Sequence, residues 1–263
     1  IAQCLVGSEM CIRDRLEAAH MLKGLGVDVL TFPDSPSGRT RIDSVLMAQK
    51  VKNVTGFEVM PHICCRDKNA IAMRSTFLGA SINDINNFLI ITGDPIPVMA
   101  RQVVKSVFNF DSVGLMRIAD EMNSEALKDS PLTYGGAINQ SRRRIESEIK
   151  RVQKKMEAGA EFFLTQPVFT AEDAERLRRV KEETGARILC GIMPLVSRKN
   201  ALFMKNEISG VNVTDEVIER YPENADREDG ENVGVELAKE MIAATRDFAD
   251  GYYFSFPFNR TYS

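Results

Sequence analysis

The chain has 263 residues, 44% of them hydrophobic, and a formal net charge of -3. That length holds one large α/β domain or two smaller ones, and the apolar share is ordinary for a globular protein. The charge balance offers nothing to nucleic acid or an anionic membrane, and no apolar run approaches the roughly 20 residues of a membrane helix. The five cysteines are odd in number and lack paired C-x-x-C spacing. They argue against a disulfide framework or a zinc site and suit a reducing, cytoplasmic location.

Residues 1–15, IAQCLVGSEMCIRDR, carry two of the five cysteines, show no clear period and lack a good cap. CLVGSEMCIRDR resembles a translated sequencing-adapter scar, so 1–15 is expected to be an artefactual leader and 16–263 the protein proper. The other reading is a genuine N-terminal strand and turn at CLVG.

From Leu16 the pattern is regular. LEAAHMLKGLG reads as the end of an amphipathic helix stopped by glycine. VDVLTFPDSP reads as a strand running into a Pro-rich loop. Arg41 to Val54 reads as a helix with Ile42, Val45, Leu46 and Gln49 on one face. FEVMPHICC is the next strand, Asn69 to Leu78 a helix, and NFLIITGDP a buried strand whose apolar run ends at Thr92-Gly93-Asp94-Pro95. A polar and aromatic loop through Phe108 and Phe110 leads to a helix near Ser112 to Met122. LTYGGAIN is a weaker strand, and Ser141 to Ala158 a charged helix stopped by Gly159. EFFLTQPVF is a strand, Ala171 to Thr184 a helix and RILCGIMPLVS a strand. Two or three helices fill Asn200 to Phe248, around a polar loop at PENADREDGEN, and GYYFSFPFN closes the series as a strand.

Strict alternation of strands and helices predicts a parallel sheet with helices outside it. No G-x-G-x-x-G follows a strand, which weakens a dinucleotide-fold reading, and the size fits a (β/α)8 barrel. Seven strands are one short of a barrel; the eighth is expected before Leu16. No internal repeat, low-complexity tract or linker interrupts the chain, which predicts one domain.

The strand ends carry polar groups that a structural loop does not need: Thr31 with Asp34, His62 with Arg66 and Asp67, Thr92 with Asp94, Ala137 with Asn139, and Thr165 with Gln166. In a barrel such ends meet at one face, where active sites lie. Taken singly, Asp94 reads as a cap for the next helix and His62 as a hydrogen-bonded core residue. No His or Cys partner lies at metal-ligand spacing from His62, so no metal is expected. Cys64 and Cys65 read as strand packing rather than redox chemistry, because adjacent strand residues face opposite sides. Glu148, Arg151 and Lys155 share a helix face; the plain reading is a solvated salt-bridged stripe, and the alternative is a hold on a phosphate or ribityl hydroxyl.

PHICCRDKN, LIITGDP, AGAEFFLTQPVF, GIMPLVS and the terminal FNR occur in an order and spacing that resemble 5,10-methylenetetrahydrofolate reductases, including the reductase half of bifunctional homocysteine S-methyltransferase/reductases. The resemblance covers about residues 16 to 260, and TQPVF is its most specific part. It implies a (β/α)8 TIM barrel holding FAD non-covalently. NADH or NADPH would give a hydride to the flavin, and the flavin would pass it to methylenetetrahydrofolate, making 5-methyltetrahydrofolate for methionine and one-carbon metabolism. Carried over by position, Thr31, His62, Thr92, Gly93, Asp94, Ala137, Asn139, Glu148, Lys155 and Gln166 match cofactor-binding residues. Asp94, Gln166, Asn200, Phe203 and Arg260 match folate-side residues, and Asp94 would act electrostatically on both ligands. The family's first-strand glutamate, its general acid, has no match; Glu9 lies in the suspected scar. The implied partners are a small-molecule folate and either a second copy of the chain or a methyltransferase module, with no nucleic acid or membrane. The alternatives left open are a flavin- or folate-binding barrel without turnover and a folate-dependent methyltransferase.

Overall fold

The computed structural model describes residues 9–208, 210–224 and 226–255, with side chains from residue 16 onward. Contacts divide the chain into two compact units. Among the described residues, the first holds 9–136 and 157–160, and the second 137–156 and 161–255.

The first unit runs α1 (Glu9–Lys23), β1 (Val29–Phe32), α2 (Ser44–Thr55), β2 (Glu58–Cys64), α3 (Ala70–Ser81), β3 (Asn87–Ile91), α4 (Ser112–Ser124) and β4 (Thr133–Ile138, whose last residues belong to the second unit). The strands pair in chain order and in parallel: Leu30 opposite Val59, Ile63 opposite Ile90, and Phe88 opposite Tyr134. Parallel pairing fixes the edge on which each strand delivers its last residues, so the ends of β1, β2 and β3 come together within this unit.

The α2 helix begins at Ser44, not Arg41, because the Asp43 carboxylate accepts the N–H groups of Val45 and Leu46 at 2.9 and 3.1 Å. Its C-terminus is closed by Gly56 at φ 68°. The buried face is Ser44, Met47, Ala48, Val51 and Thr55, whereas Leu46 is 64% exposed. The expected face of Ile42, Val45, Leu46 and Gln49 is therefore corrected. Small residues, Ser44 and Ala48, let the helix lie close to the sheet, while Met47 and Val51 join Leu30, Phe57 and Ala19 in a core cluster.

The second unit runs α5 (Ile145–Glu157), β5 (Phe162–Pro167), α6 (Ala171–Thr184), β6 (Ile188–Ile192), α7 (Arg198–Glu207), α8 (Asp215–Glu219), α9 (Arg227–Thr245) and β7 (Gly251–Phe254). Its strands β5, β6 and β7 are again parallel and in chain order, with a register shift between Leu164 and Pro167 on the β5–β6 edge. The architecture is the expected α/β one of the TIM-barrel kind. Among the described residues it has seven strands, one fewer than a complete (β/α)8 barrel.

Two expected boundaries move. Residues 141–144 stay outside α5, and the supposed polar loop at 222–232 supplies the start of α9, where the Asp226 carboxylate accepts the N–H of Asp229 at 2.9 Å. The glycines of this helix serve packing. A Cβ on Gly230 would run into the carbonyl of Val196, and one on Gly234 into the carbonyl of Leu195. They let α9 lie directly on backbone.

Replacing a mid-helix glycine by alanine ordinarily stabilises by about 1 kcal/mol. At Gly234 the sign reverses: Gly234→Ala is expected to destabilise by roughly 1–3 kcal/mol, the cost of overpacking a close contact. Urea unfolding of the variant beside the parent chain checks it, with a lower midpoint expected for Gly234→Ala.

Candidate functional site

Each unit gathers its predicted polar residues at its own strand ends. In the first unit the organising group is Arg66, just beyond β2 and only 1% exposed. Its Nε and Nη2 donate to the Asp67 carboxylate at 2.7 and 2.6 Å. Nη2 also donates to the Ser35 carbonyl at 2.9 Å, and Nη1 to the Asp94 carbonyl at 3.0 Å. One buried guanidinium therefore ties the loop after β1 to the loop after β3. Its planar fork of donors suits such a junction, and the adjacent carboxylate offsets its desolvation.

Asp94 is exposed, and its carboxylate accepts the backbone N–H of Ser37 at 2.8 Å. It does not cap the next helix; Asp111 caps α4. Ser35 and Ser37 sit at φ 42° and 56°, in the left-handed region, which turns the Ser37 N–H toward the carboxylate. Gly93, at φ 93°, passes so close to β2 that a Cβ would lie 3.0 Å from Cys64 Cβ and 3.3 Å from Arg66 Cβ. Thr92 Oγ1 accepts the N–H of Ser112 at 3.1 Å, linking the end of β3 to the start of α4.

Thr31 Oγ1 and His62 Nε2 lie 2.7 Å apart, and the His62 carbonyl accepts the Ser44 hydroxyl at 2.7 Å. Burial pushes the His62 ring down to about 4, so it is neutral at pH 7. Asp34 accepts the N–H of Cys64 at 3.1 Å, and burial raises its carboxyl. The thiols of Cys64 and Cys65 are buried and pushed up to about 12, which agrees with packing rather than redox chemistry.

In the second unit Glu148 and Lys155, two turns apart on α5, are 2% and 4% exposed. The solvated-stripe reading of this face is corrected for both. Glu148 Oε1 accepts the N–H of Asn139 at 3.0 Å, and Lys155 donates to the Ala137 carbonyl. Two opposite charges thus clamp the end of β4 and the first residue beyond it. Arg142 Nε stands 3.0 Å from the other oxygen of Glu148, with Arg151 Nε at 3.8 Å and half exposed. Asn139 Oδ1 accepts the N–H of Ser141 at 3.1 Å, while Ser141 Oγ is buried without a hydrogen-bond partner among the described residues.

Gln166, at the end of β5, is bonded through its backbone to the fully buried Gln140. Asn200 and Phe203 lie on α7. The Asn200 side chain turns back to accept the N–H of Val196 at 3.2 Å, and Phe203 is 53% exposed. Arg260 lies outside the described residues. Ser37, Gln140, Arg142 and Tyr253 are not among the residues expected from the sequence, and Arg66 is expected only as a strand-end residue. Polarity just after a strand is the signal that finds Gln140 and Arg142. Nothing in the sequence shows that Tyr253 on β7 donates to the Thr165 carbonyl.

The His62 shift sets a pH dependence. Its folded pKa lies below the ordinary 6.5, so as pH falls the unfolded chain takes up the proton first. The contribution is intact above pH 6.5 and is lost as pH falls toward 4, at up to about 1.4 kcal/mol per pH unit. His62→Gln is expected to flatten this part of the stability profile; urea midpoints between pH 7 and pH 4.5 for both proteins check it.

A family model described as methylenetetrahydrofolate reductase matches residues 8–250. A curated 5,10-methylenetetrahydrofolate reductase from Salmonella typhimurium is 24% identical over 195 residues, which cover 73% of this chain but only 62% of that relative. Among solved structures, a Clostridium thermocellum protein described as binding two copies of 5-methyl-5,6,7,8-tetrahydrofolic acid superposes with a TM-score of 0.67 at 14% identity, over 98% of this chain and 86% of that one. A 2,3-dimethylmalate lyase of the PEP mutase/isocitrate lyase superfamily gives 0.51 at 14% identity, over 92% and 72%. At such identities the structural likeness is one of fold. The family match spans nearly the whole chain, and the chain belongs to the methylenetetrahydrofolate reductase family.

Proposed function

We propose that this chain is a flavin-dependent reductase that converts 5,10-methylenetetrahydrofolate to 5-methyltetrahydrofolate, with FAD as cofactor and NADH or NADPH as hydride donor. The observation that supports it most is the buried pair Glu148 and Lys155, each bonded to backbone of the segment 137–139. Burying two charges is costly unless they hold something in place, and here they set the backbone of Ala137 and Asn139. The buried Ser141 Oγ, without a hydrogen-bond partner among the described residues, fits a ligand oxygen beside that segment. These residues suit the ribityl and phosphate portion of FAD. FAD when bound would supply the hydride carrier between nicotinamide and folate.

Within the first unit, Thr31, His62 and the Thr92-Gly93-Asp94 turn match flavin-binding positions by the family resemblance. His62 is neutral there and offers a hydrogen bond without a competing positive charge. Asp94 contributes a carboxylate whose direction is set by the Ser37 N–H and whose backbone is held by Arg66. A fixed negative charge favours a cationic iminium form of the folate and is already in place when that charge develops. Gln166, Asn200, Phe203 and Arg260 are assigned to the folate side. A second reading, folate binding without turnover, draws on the folate described for the Clostridium fold neighbour.

An absorbance scan of the purified chain, followed by anaerobic titration with NADH and NADPH, separates the readings. Oxidised-flavin bands that bleach with a reduced nicotinamide, and 5-methyltetrahydrofolate formed on adding the substrate, are expected. A colourless chain that takes up no added FAD would overturn the proposal, and folate binding by such a chain would favour the second reading. Lys155→Met, which keeps the length of the side chain and removes its charge, is expected to weaken FAD binding about tenfold, near 1.4 kcal/mol. Fluorescence titration of the variant with FAD checks it.

A further inference from the structure

Gln140 is fully buried in the loop after β4, and no part of the assignment above uses it. Its carboxamide does something specific. Oε1 accepts the N–H of Gln166 at 3.2 Å, and Nε2 donates to the Gln166 carbonyl at 3.0 Å and to the Pro167 carbonyl at 3.3 Å. One side-chain amide thus pairs with both the donor and the acceptor of a single residue, as a neighbouring strand does.

The need for such a partner is visible in the sheet. The β5–β6 register shifts between Leu164 and Pro167, and Pro167 has no N–H to give to a ladder. The end of β5 is held from its other groups as well. Thr165 Oγ1 accepts the N–H of Gly191 at 2.9 Å and donates to the Gln166 carbonyl at 2.7 Å, and Tyr253 Oη donates to the Thr165 carbonyl. Thr165 and Pro167 are buried, whereas Gln166 between them is only partly so. The backbone of Gln166 is locked while its side chain remains available.

We propose that Gln140 is a positioning residue: its carboxamide stands in for a strand partner and fixes the backbone of Gln166, so that the Gln166 side chain is presented to the folate in one orientation. The folate-side role of Gln166 rests on the proposed function; the clamp itself rests on the hydrogen bonds above. Gln140 is fully buried and acts through the backbone of Gln166.

The test uses the full chain with Gln140→Met, Gln140→Glu, Gln166→Ala and the double variant Gln140→Met with Gln166→Ala. Methionine keeps the volume and loses both bonds. Glutamate keeps the shape and the acceptor, but in its ionised form sets an oxygen against the Gln166 and Pro167 carbonyls. Hydrogen exchange of a peptide containing Gln166, measured without ligand, reads the clamp: Gln140→Met is expected to speed exchange at that amide at least tenfold, and unchanged exchange would overturn the proposal. Steady-state kinetics read the positioning. Gln140→Met is expected to raise the KM for methylenetetrahydrofolate about five- to tenfold with flavin content retained, and to add less than twofold in the Gln166→Ala background. An equal effect in both backgrounds would show a merely structural role and overturn it. If the parent chain reduces no folate, the functional reading fails by itself, and folate binding is then measured in the same four variants with the same two outcomes. If Gln140→Met does not fold, Gln140→Glu, alone and with Gln166→Ala, is read in its place by the kinetic criterion only, because it keeps the acceptor for the Gln166 N–H.

Discussion

Arg66 is the constraint on which the first unit's functional end depends. A guanidinium at 1% exposure carries a desolvation cost of several kcal/mol, and it is sustained because each of its three nitrogens meets an acceptor. Those acceptors are the Asp67 carboxylate and the carbonyls of Ser35 and Asp94. The loops after β1 and β3 therefore cannot move independently of the residue that follows β2. The left-handed serines at 35 and 37 and the close passage of Gly93 over Cys64 belong to the same junction. Strained backbone of this kind persists where its surroundings over-determine it, which is common at functional ends.

The second unit solves a comparable problem with opposite charges on one helix. Glu148 and Lys155 hold the N–H of Asn139 and the carbonyl of Ala137 respectively. The end of β4 and the residue after it are thereby gripped at an acceptor and at a donor, and their peptide planes are set before any ligand arrives. In both units charge is used to orient backbone, and the groups so oriented are the ones the family resemblance assigns to ligands. Preorganisation of this sort lowers the reorganisation that binding and chemistry would otherwise require.

The order of elements was legible in the sequence because short apolar runs bounded by turn residues alternate with longer helix-period segments. The α6 helix, Ala171 to Thr184, matched its predicted ends because Thr170 and Gly185 cap it by the ordinary chemistry. The α2 face was misread because Leu46 is apolar yet exposed, while the contact surface is built from Ser44 and Ala48. The start of α9 was misread because the stretch PENADREDGEN is polar throughout, whereas the Asp226 cap starts the helix within it and Gly230 rests on the backbone of Val196. Candidate ligand residues were legible as polarity at strand ends. The residues that hold them were not, since Gln140 and Tyr253 act across 26 and 88 positions of sequence.

The three described cysteines give the fold an internal gauge. Cys64, Cys65 and Cys190 are free and buried, each pushed up to about 12. At pH 7 such a thiol stays protonated, so a maleimide or iodoacetamide meets almost no nucleophile while the strands stay closed. Opening restores both access and an ordinary thiol. Alkylation therefore clocks how often the end of β2 parts from its neighbours in the first unit, and Cys190 does the same for β6 in the second.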